Sequence, residues 1–579
     1  MDVGELLKYQ PQKSNKRKVP EQLEKRPKMK RPSKEDMDTY QFKRILKKDI
    51  PSVQQPSTVE VKEDIKVNVK AELTEEEKEK LLDLVDNDDA GEVVDSATVK
   101  RFILSFEKKV TKNQEMRIKF PDQPQKFMES EMELHDELQK LHVLATVPEY
   151  YDIVVKLNCI TSMLGLLNHE NSDIAIAVVD LLQEMTDGDA INDYEESANI
   201  LIDALLEGQV AAVLVQNLER LDERQKEDSD GVHNTLAIIE NMAEFRQDIC
   251  IKAGEQGLLT WLLKRLKRKV FDNNKLYASE IIAIMLQSQE ENRQLLGNLN
   301  GVDGLLQALA IYKGHNPNNQ EELEYMENLF NCLCSALLYT QNKELFLKGE
   351  GLQLMILMLR EKKMSRTSAL KVLAYAMTGE DGGDNCNKFV EILGLRSLFP
   401  LFMKPTKRNK RSGHGSEECE EHTCSIISSL FRHLIGNNRQ RLVHKFVEDD
   451  HIKLDRLMEL YFKYQRRVQD ADARIEREKD DLEEQGEVID EAMEDEFYIR
   501  RLDAGLFILQ LLVCIMLESC CSGVGSIKQR VLTLLGQHGG SMKQIKQVMR
   551  EYAGHIGDSS MSESAEIERR RLLSLVDRF

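Results

Sequence analysis

Tryptophan occurs once in this chain, at position 261, and aromatic residues make up only 6% of it. Leu, Ile, Met and Ala are abundant instead. That mix suits packed helices better than sheets, whose pleated faces favour aromatic and β-branched side chains. Proline is scarce as well. Six of the 12 prolines are Pro11, Pro20, Pro27, Pro32, Pro51 and Pro56. Long stretches of the middle hold none, so helices there can run without the break a missing N–H imposes. The ten cysteines follow no framework spacing. Cys332 and Cys334 are separated by one residue and Cys520 and Cys521 are adjacent, so neither pair suits an ordinary disulfide and reduced thiols are expected. Met1 to Gln10 contain no apolar core of secretory-signal length. The longest apolar run, Ala504–Leu517, is interrupted by Gln510 and bounded by Asp503 and Glu518. A membrane span needs about 20 residues, so a buried core helix is expected there and no membrane partner.

Catalytic signatures are missing too. The chain has no Gly-rich loop ending in Gly-Lys-Ser/Thr, no His-Glu-x-x-His and no Gly-x-Ser-x-Gly. Gly523-Val-Gly525-Ser-Ile-Lys528 follows a helical pattern and reads as a helix terminator. Cys419, His422 and Cys424 lack a fourth ligand and the paired Cys-x-x-Cys spacing of zinc sites. No enzyme activity, metal or cofactor is expected.

What is present begins with charge. The net charge is -20, yet residues 1–48 hold 15 Lys/Arg against 7 Asp/Glu. A basic arm on an acidic body speaks against a body that wraps nucleic acid, because phosphates would be repelled, and favours partners with basic segments. Residues 1–70 are rich in Lys, Pro, Gln and Ser and read as a disordered basic arm. Lys16, Arg17 and Lys18, then Lys25, Arg26, Lys28, Lys30 and Arg31, have the density of a nuclear localisation signal for an import receptor's acidic groove. A solvated basic tail and weak RNA contact are the alternatives.

The most informative signal is a repeat. A glycine, or its equivalent, opens a Leu-rich amphipathic stretch at Cys159, Gly208, Gly257, Gly301, Gly351 and Gly394. A longer apolar helix follows each: Ile174–Met185, Thr235–Phe245, Leu276–Leu286, Met326–Leu338, Ser368–Met377 and Cys424–Leu434. Several are accompanied by an Asn-basic pair with an apolar residue close behind, as in Asn292-Arg293, Asn342-Lys343 and Asn387-Lys388. A period of about 40–47 residues with two or three helices is the armadillo/HEAT pattern. The glycines are expected to take the left-handed turn between helices. Stacked units share one core and grow along one dimension, leaving a long groove.

The expected fold is therefore all-α: an armadillo/HEAT-type right-handed superhelical solenoid with helical caps and a disordered basic N-terminal arm. Residues 71–150 form the N-terminal helical cap, 151–465 about six repeats with a loop at 405–420, and 501–579 the C-terminal cap. Residues 466–500 are a long acidic helix or connector, with 14 Asp/Glu against 3 Lys/Arg over residues 470–496. The candidate binding groove carries Asp180 and Glu184, four apart and so on one helix face, with Glu240 and Glu244 repeating the arrangement one unit later and Asp187 beside them. Such a stripe attracts Lys/Arg-rich peptides. The plainer reading is an ordinary solvated face.

Several long runs carry a resemblance: Met1–Leu7, Asn113–Asp122, Phe127–Glu131, Ala175–Glu184, Asp230–Ile238, Lys348–Met355 and Arg500–Phe507. Over essentially the whole chain they resemble the beta-catenin-like family of nuclear armadillo proteins. The match is poor over about residues 20–95 and in the loop after Pro405. The resemblance implies a nuclear protein associated with the spliceosome through the Nineteen complex and its Myb-like core subunit, and recognition of basic, localisation-signal-like segments. Self-association is open, as are an import-type carrier role and an RNA-tethered adaptor. The regular Trp/Asn ladder of importin-alpha-type grooves is absent. Asn241 stands alone, with Glu184 at the comparable place one repeat earlier, so binding would lean on carboxylates.

Overall fold

The computed structural model describes residues 94–287, 289–404, 415–556 and 563–579. The basic arm, including Lys16 to Arg31, lies outside them, as do residues 405–414 of the expected loop. Among the described residues every regular element is a helix.

Six consecutive units each contain three helices. In the first they are Tyr151–Lys156, Cys159–Leu166 and Ser172–Thr186; in the second, Glu195–Glu207, Val210–Arg220 and Lys226–Phe245. The third helices are the longest and the most regularly stacked. Ser172–Thr186 packs on Lys226–Phe245, and the row continues through Asn273–Gln287, Gln320–Ala336, Arg366–Met377 and Ser416–His433 to Leu506–Cys520. Local chemistry marks their starts: Asn171 accepts from the Asp173 amide and Asn319 from the Glu322 amide, satisfying N–H groups that no helical carbonyl reaches. Each third helix buries one apolar face against its neighbours, as with Leu329, Phe330 and Leu333, all fully buried in the fourth unit.

The left-handed turn between first and second helices is real, but it sits beside the glycine in most units, one residue before Gly301, Gly351 and Gly394 and one residue after Gly208. Asn158, Gln209, Asn300, Glu350 and Leu393 have φ of 60°, 52°, 55°, 59° and 65°; only Gly257, at 99°, is itself the turn residue. The glycines answer a different demand. A Cβ on Gly301 would lie 2.5 Å from the Leu296 side chain, one on Gly351 2.3 Å from Phe346, and one on Gly394 2.5 Å from Phe389. They allow the second helix to start against the large side chain that closes the first.

The recurring asparagine cross-links the units. Asn292 Nδ2 donates to Cys250 O of the preceding first helix (2.9 Å) and to Met285 O (3.0 Å). Asn342 Nδ2 repeats this with Arg293 O (2.8 Å) and Ala336 O (2.9 Å). In the next unit the member of this ladder is Asn385, bonded to Lys343 O at 3.4 Å, and Asn387 instead bonds Gly383 O of its own helix. The first two asparagines lie over Gly254 and Gly297, where an added Cβ would come within 2.3 Å of their Oδ1. The corresponding residue under Asn385 is Leu347, and the bond there is longer.

Helices Ser96–Lys119 and Pro124–Leu141 pair, and the second packs on Ser172–Thr186. At the other end, helix Ile452–Gln485 runs 34 residues, straight through residue 465 and into the acidic segment. Gly486 (φ 79°) then turns the chain, and Glu491–Asp503 folds back. Lys479 reaches Glu494 at 2.6 Å, Arg500 reaches Glu478 at 2.6 Å and Arg501 reaches Asp472 at 2.8 Å. The apolar helix Leu506–Cys520 is almost wholly buried, and no single described helix is long and apolar enough to cross a membrane. Two buried carboxylates tie this end together. Glu420 accepts from Arg456 (3.0 Å), Lys463 (2.6 Å) and the Tyr464 hydroxyl (2.7 Å); Glu518 accepts from Arg439 (2.6 Å) and from Arg571 of the last helix.

Candidate functional site

The stacked third helices bring acidic residues of successive units into one row. Asp180 is half-buried and accepts from Asn234 Nδ2 of the next third helix at 2.8 Å. Burial holds its carboxyl above the usual range, against the pull of that hydrogen bond. Glu184, one turn on, is exposed and lies 2.6 Å from His142 Nδ1. Asp187 is the half-buried C-cap of the same helix. In the following unit Glu240 is half-buried and accepts from the Tyr277 hydroxyl. Glu244 is exposed, with no hydrogen-bond or ion-pair partner among the described residues. Asn241 turns its amide toward Gln183 O and Thr186 Oγ1, both at 3.5 Å. In this geometry the asparagine stitches one third helix to the one before it.

The row extends beyond the residues read from sequence. Glu280, on Asn273–Gln287, is half-buried, and its pKa is pushed up to about 7, first by burial and then by the neighbouring carboxylates Glu324 and Glu240. Glu324 is exposed one unit later, and Glu327 accepts from the Ser368 hydroxyl, which lies 3.0 and 2.8 Å from its two carboxylate oxygens. The sign then changes: Lys371, on Arg366–Met377, donates to Asn331 at 3.0 Å. Sequence spacing missed Glu280, the single carboxylate on its helix, and Glu324, which has no acidic residue four positions away on its own helix. Their relation to Glu240 appears only when positions 40 and 44 residues apart are laid side by side.

Each half-buried carboxylate that lacks a cationic neighbour carries an unmet preference for positive charge, and like charges around Glu280 strengthen it. A row of such groups can receive ammonium or guanidinium groups from an extended segment. For metal or nucleophilic chemistry the molecule offers little: no group of three His, Cys, Asp or Glu is placed to hold a metal ion among the described residues. Cys424 is buried in helix Ser416–His433 and burial pushes its thiol up, away from the reactive thiolate.

This is the geometry of an armadillo-repeat interaction scaffold, and comparison with known proteins agrees. Residues 78–550 match the family described as catenin-beta-like, Arm-motif containing nuclear, and the chain belongs to that family. It is 58% identical over 487 residues to beta-catenin-like protein 1 of Mus musculus and, equally, of Homo sapiens, covering 84% of this chain and 86% of each relative. The beta-catenin-like protein 1 homolog of Schizosaccharomyces pombe is 33% identical over 497 residues, covering 84% of both chains. Among solved structures, an engineered protein aligns with a TM-score of 0.46 at 14% identity, over 77% of this chain and 95% of its own.

Proposed function

We propose that the chain is a non-catalytic scaffold of the pre-mRNA splicing machinery in the nucleus, and that its third-helix row holds Lys/Arg-rich segments of partner proteins. The partners in this reading are splicing-complex proteins, among them the Myb-like core subunit of the Nineteen complex, with an import receptor engaging the basic arm. The observation that carries it is the run of carboxylates from Asp180 and Glu184 through Glu240 and Glu244 to Glu280 and Glu324, with Glu280 raised first by burial and then by its acidic neighbours. Membership of a family described as nuclear supports the compartment. The test is recovery of a tagged chain from nuclease-treated nuclear extract, beside Glu240→Lys/Glu244→Lys. Splicing-complex proteins retained by the first and lost by the second are expected. Import cargo in their place favours a carrier, and loss of every partner on RNA removal favours tethering through RNA.

A further inference from the structure

Several buried or half-buried cations among the described residues are held by carboxylates. Arg265 is paired with Glu223 and Asp272, Lys343 with Asp381, Arg456 with Glu420 and Arg439 with Glu518. Four cations without such a partner are gathered in one hollow. Between the second helices Gly351–Glu361 and Leu395–Met403 lies an open hollow of about 560 Å³. Arg360, Lys362, Arg366 and Arg396 line it, over a floor that includes Leu359, Leu393 and Pro400.

None of the four has a carboxylate partner among the described residues. Arg360 donates to Ser397 Oγ at 3.2 Å, and the buried Nε of Arg366 has no partner at all. The nearest acidic residues in sequence, Glu361 and Glu391, are exposed, and Glu391 already lies 4.0 Å from Lys388. Arg366 opens helix Arg366–Met377, whose first N–H groups add partial positive charge on the same side. The wall is also strained. Leu393 is held at φ 65°, where the equivalent turns use Asn, Gln, Gly or Glu. Four unneutralised cations kept together in a chain of net charge -20 repel one another until an anion enters.

We propose that this hollow docks a phosphorylated serine or threonine, flanked by uncharged residues, of a partner protein. A phosphomonoester carries close to two negative charges and three acceptor oxygens, which guanidinium groups bind in pairs of parallel hydrogen bonds. The apolar floor suits the residues flanking it. A polynucleotide fits less well, because any strand leaving the hollow runs over an acidic body. The site uses none of the carboxylates of the third-helix row and stands whether or not that row binds basic segments.

The test is fluorescence anisotropy on the full chain at one fixed salt concentration. The probes are a short labelled peptide of otherwise uncharged residues with one central phosphoserine, its unphosphorylated twin, and a single-stranded oligonucleotide of equal charge. The variants are Lys362→Glu/Arg396→Glu, both exposed, and Arg366→Gln, with circular dichroism melts to confirm folding. The phosphopeptide is expected to bind at least roughly tenfold tighter than its twin and to lose at least that much in either variant. Glu240→Lys/Glu244→Lys leaves its binding unchanged. Equal binding of the twin, binding unaffected by the hollow variants, no binding by either peptide, or tighter binding of the oligonucleotide each overturns the proposal.

Discussion

Replacing Gly297 by alanine should weaken the array, although alanine is the better helix former by about 1 kcal/mol. The reason is the residue above it. An alanine Cβ would lie 2.3 Å from Asn342 Oδ1, and Asn342 is fully buried, with its Nδ2 fixed to Arg293 O and Ala336 O. The side chain cannot move aside without lengthening both bonds that join these two units. Each bond contributes about 1 kcal/mol and the overpacking costs about 1–3 kcal/mol, so the net loss should be about 2 kcal/mol. Asn342→Ala alone should cost about 2 kcal/mol by removing the same bonds. Once that side chain is gone the clash is gone, and Gly297→Ala should then stabilise by about 1 kcal/mol. The two substitutions are thus coupled by about 3 kcal/mol, and the sign of one reverses in the presence of the other. Amide hydrogen exchange over Glu290–Asn298 and Thr340–Lys348 reads this locally, which matters because a long array need not unfold in one step. Additive effects of the two substitutions would refute the reasoning.

Leu393→Asn should raise the thermal midpoint, because asparagine tolerates the left-handed turn that costs leucine about 1 kcal/mol; a lower midpoint would mean that the half-exposed side chain matters more than the strain. Glu280 titrates about 7 when folded, above its ordinary 4.5, so the folded chain holds an extra proton between those values and loses stability as pH rises through them. Glu280→Gln should therefore stabilise the chain above pH 7 and leave it unchanged below pH 4.5; denaturation midpoints across that range that track the unsubstituted chain would count against the assignment. Glu420→Ala leaves Lys463 and the buried Tyr464 hydroxyl without their acceptor, and Arg456 with Glu459 as its remaining carboxylate, and should cost about 3 kcal/mol, seen as earlier urea unfolding of Ile452–Gln485.

The long third helices were legible in the sequence because each buries one face on a helical period, and an exposed-to-buried alternation of that length has few other solutions. The turn residues were not. Glycine was assigned the left-handed conformation on its backbone freedom, whereas Gly301, Gly351 and Gly394 are there for the lack of a side chain beside Leu296, Phe346 and Phe389. That pressure comes from a contact inside the folded unit and leaves no local pattern. Asn387 was read as the repeating asparagine because it precedes a lysine, but the ladder belongs to Asn385, which faces Lys343 O across the stack. The acidic segment read as either helix or connector because its charges repel in sequence. In the fold, Lys479, Arg500 and Arg501 neutralise part of it across a hairpin. Of the site, the pairs on a single helix were visible, and Glu280 and Glu324 were not, since their proximity to Glu240 is a property of stacking.

The most direct test of the acidic row is calorimetric titration of the full chain with a short Lys/Arg-rich peptide, beside Glu240→Lys/Glu244→Lys and Glu280→Gln. Binding is expected to weaken with salt, to fall sharply in the charge-reversed chain while its thermal midpoint holds, and to release a proton near pH 7 that disappears with Glu280→Gln. Equal affinity of the peptide for the charge-reversed chain would reduce the row to a solvated surface.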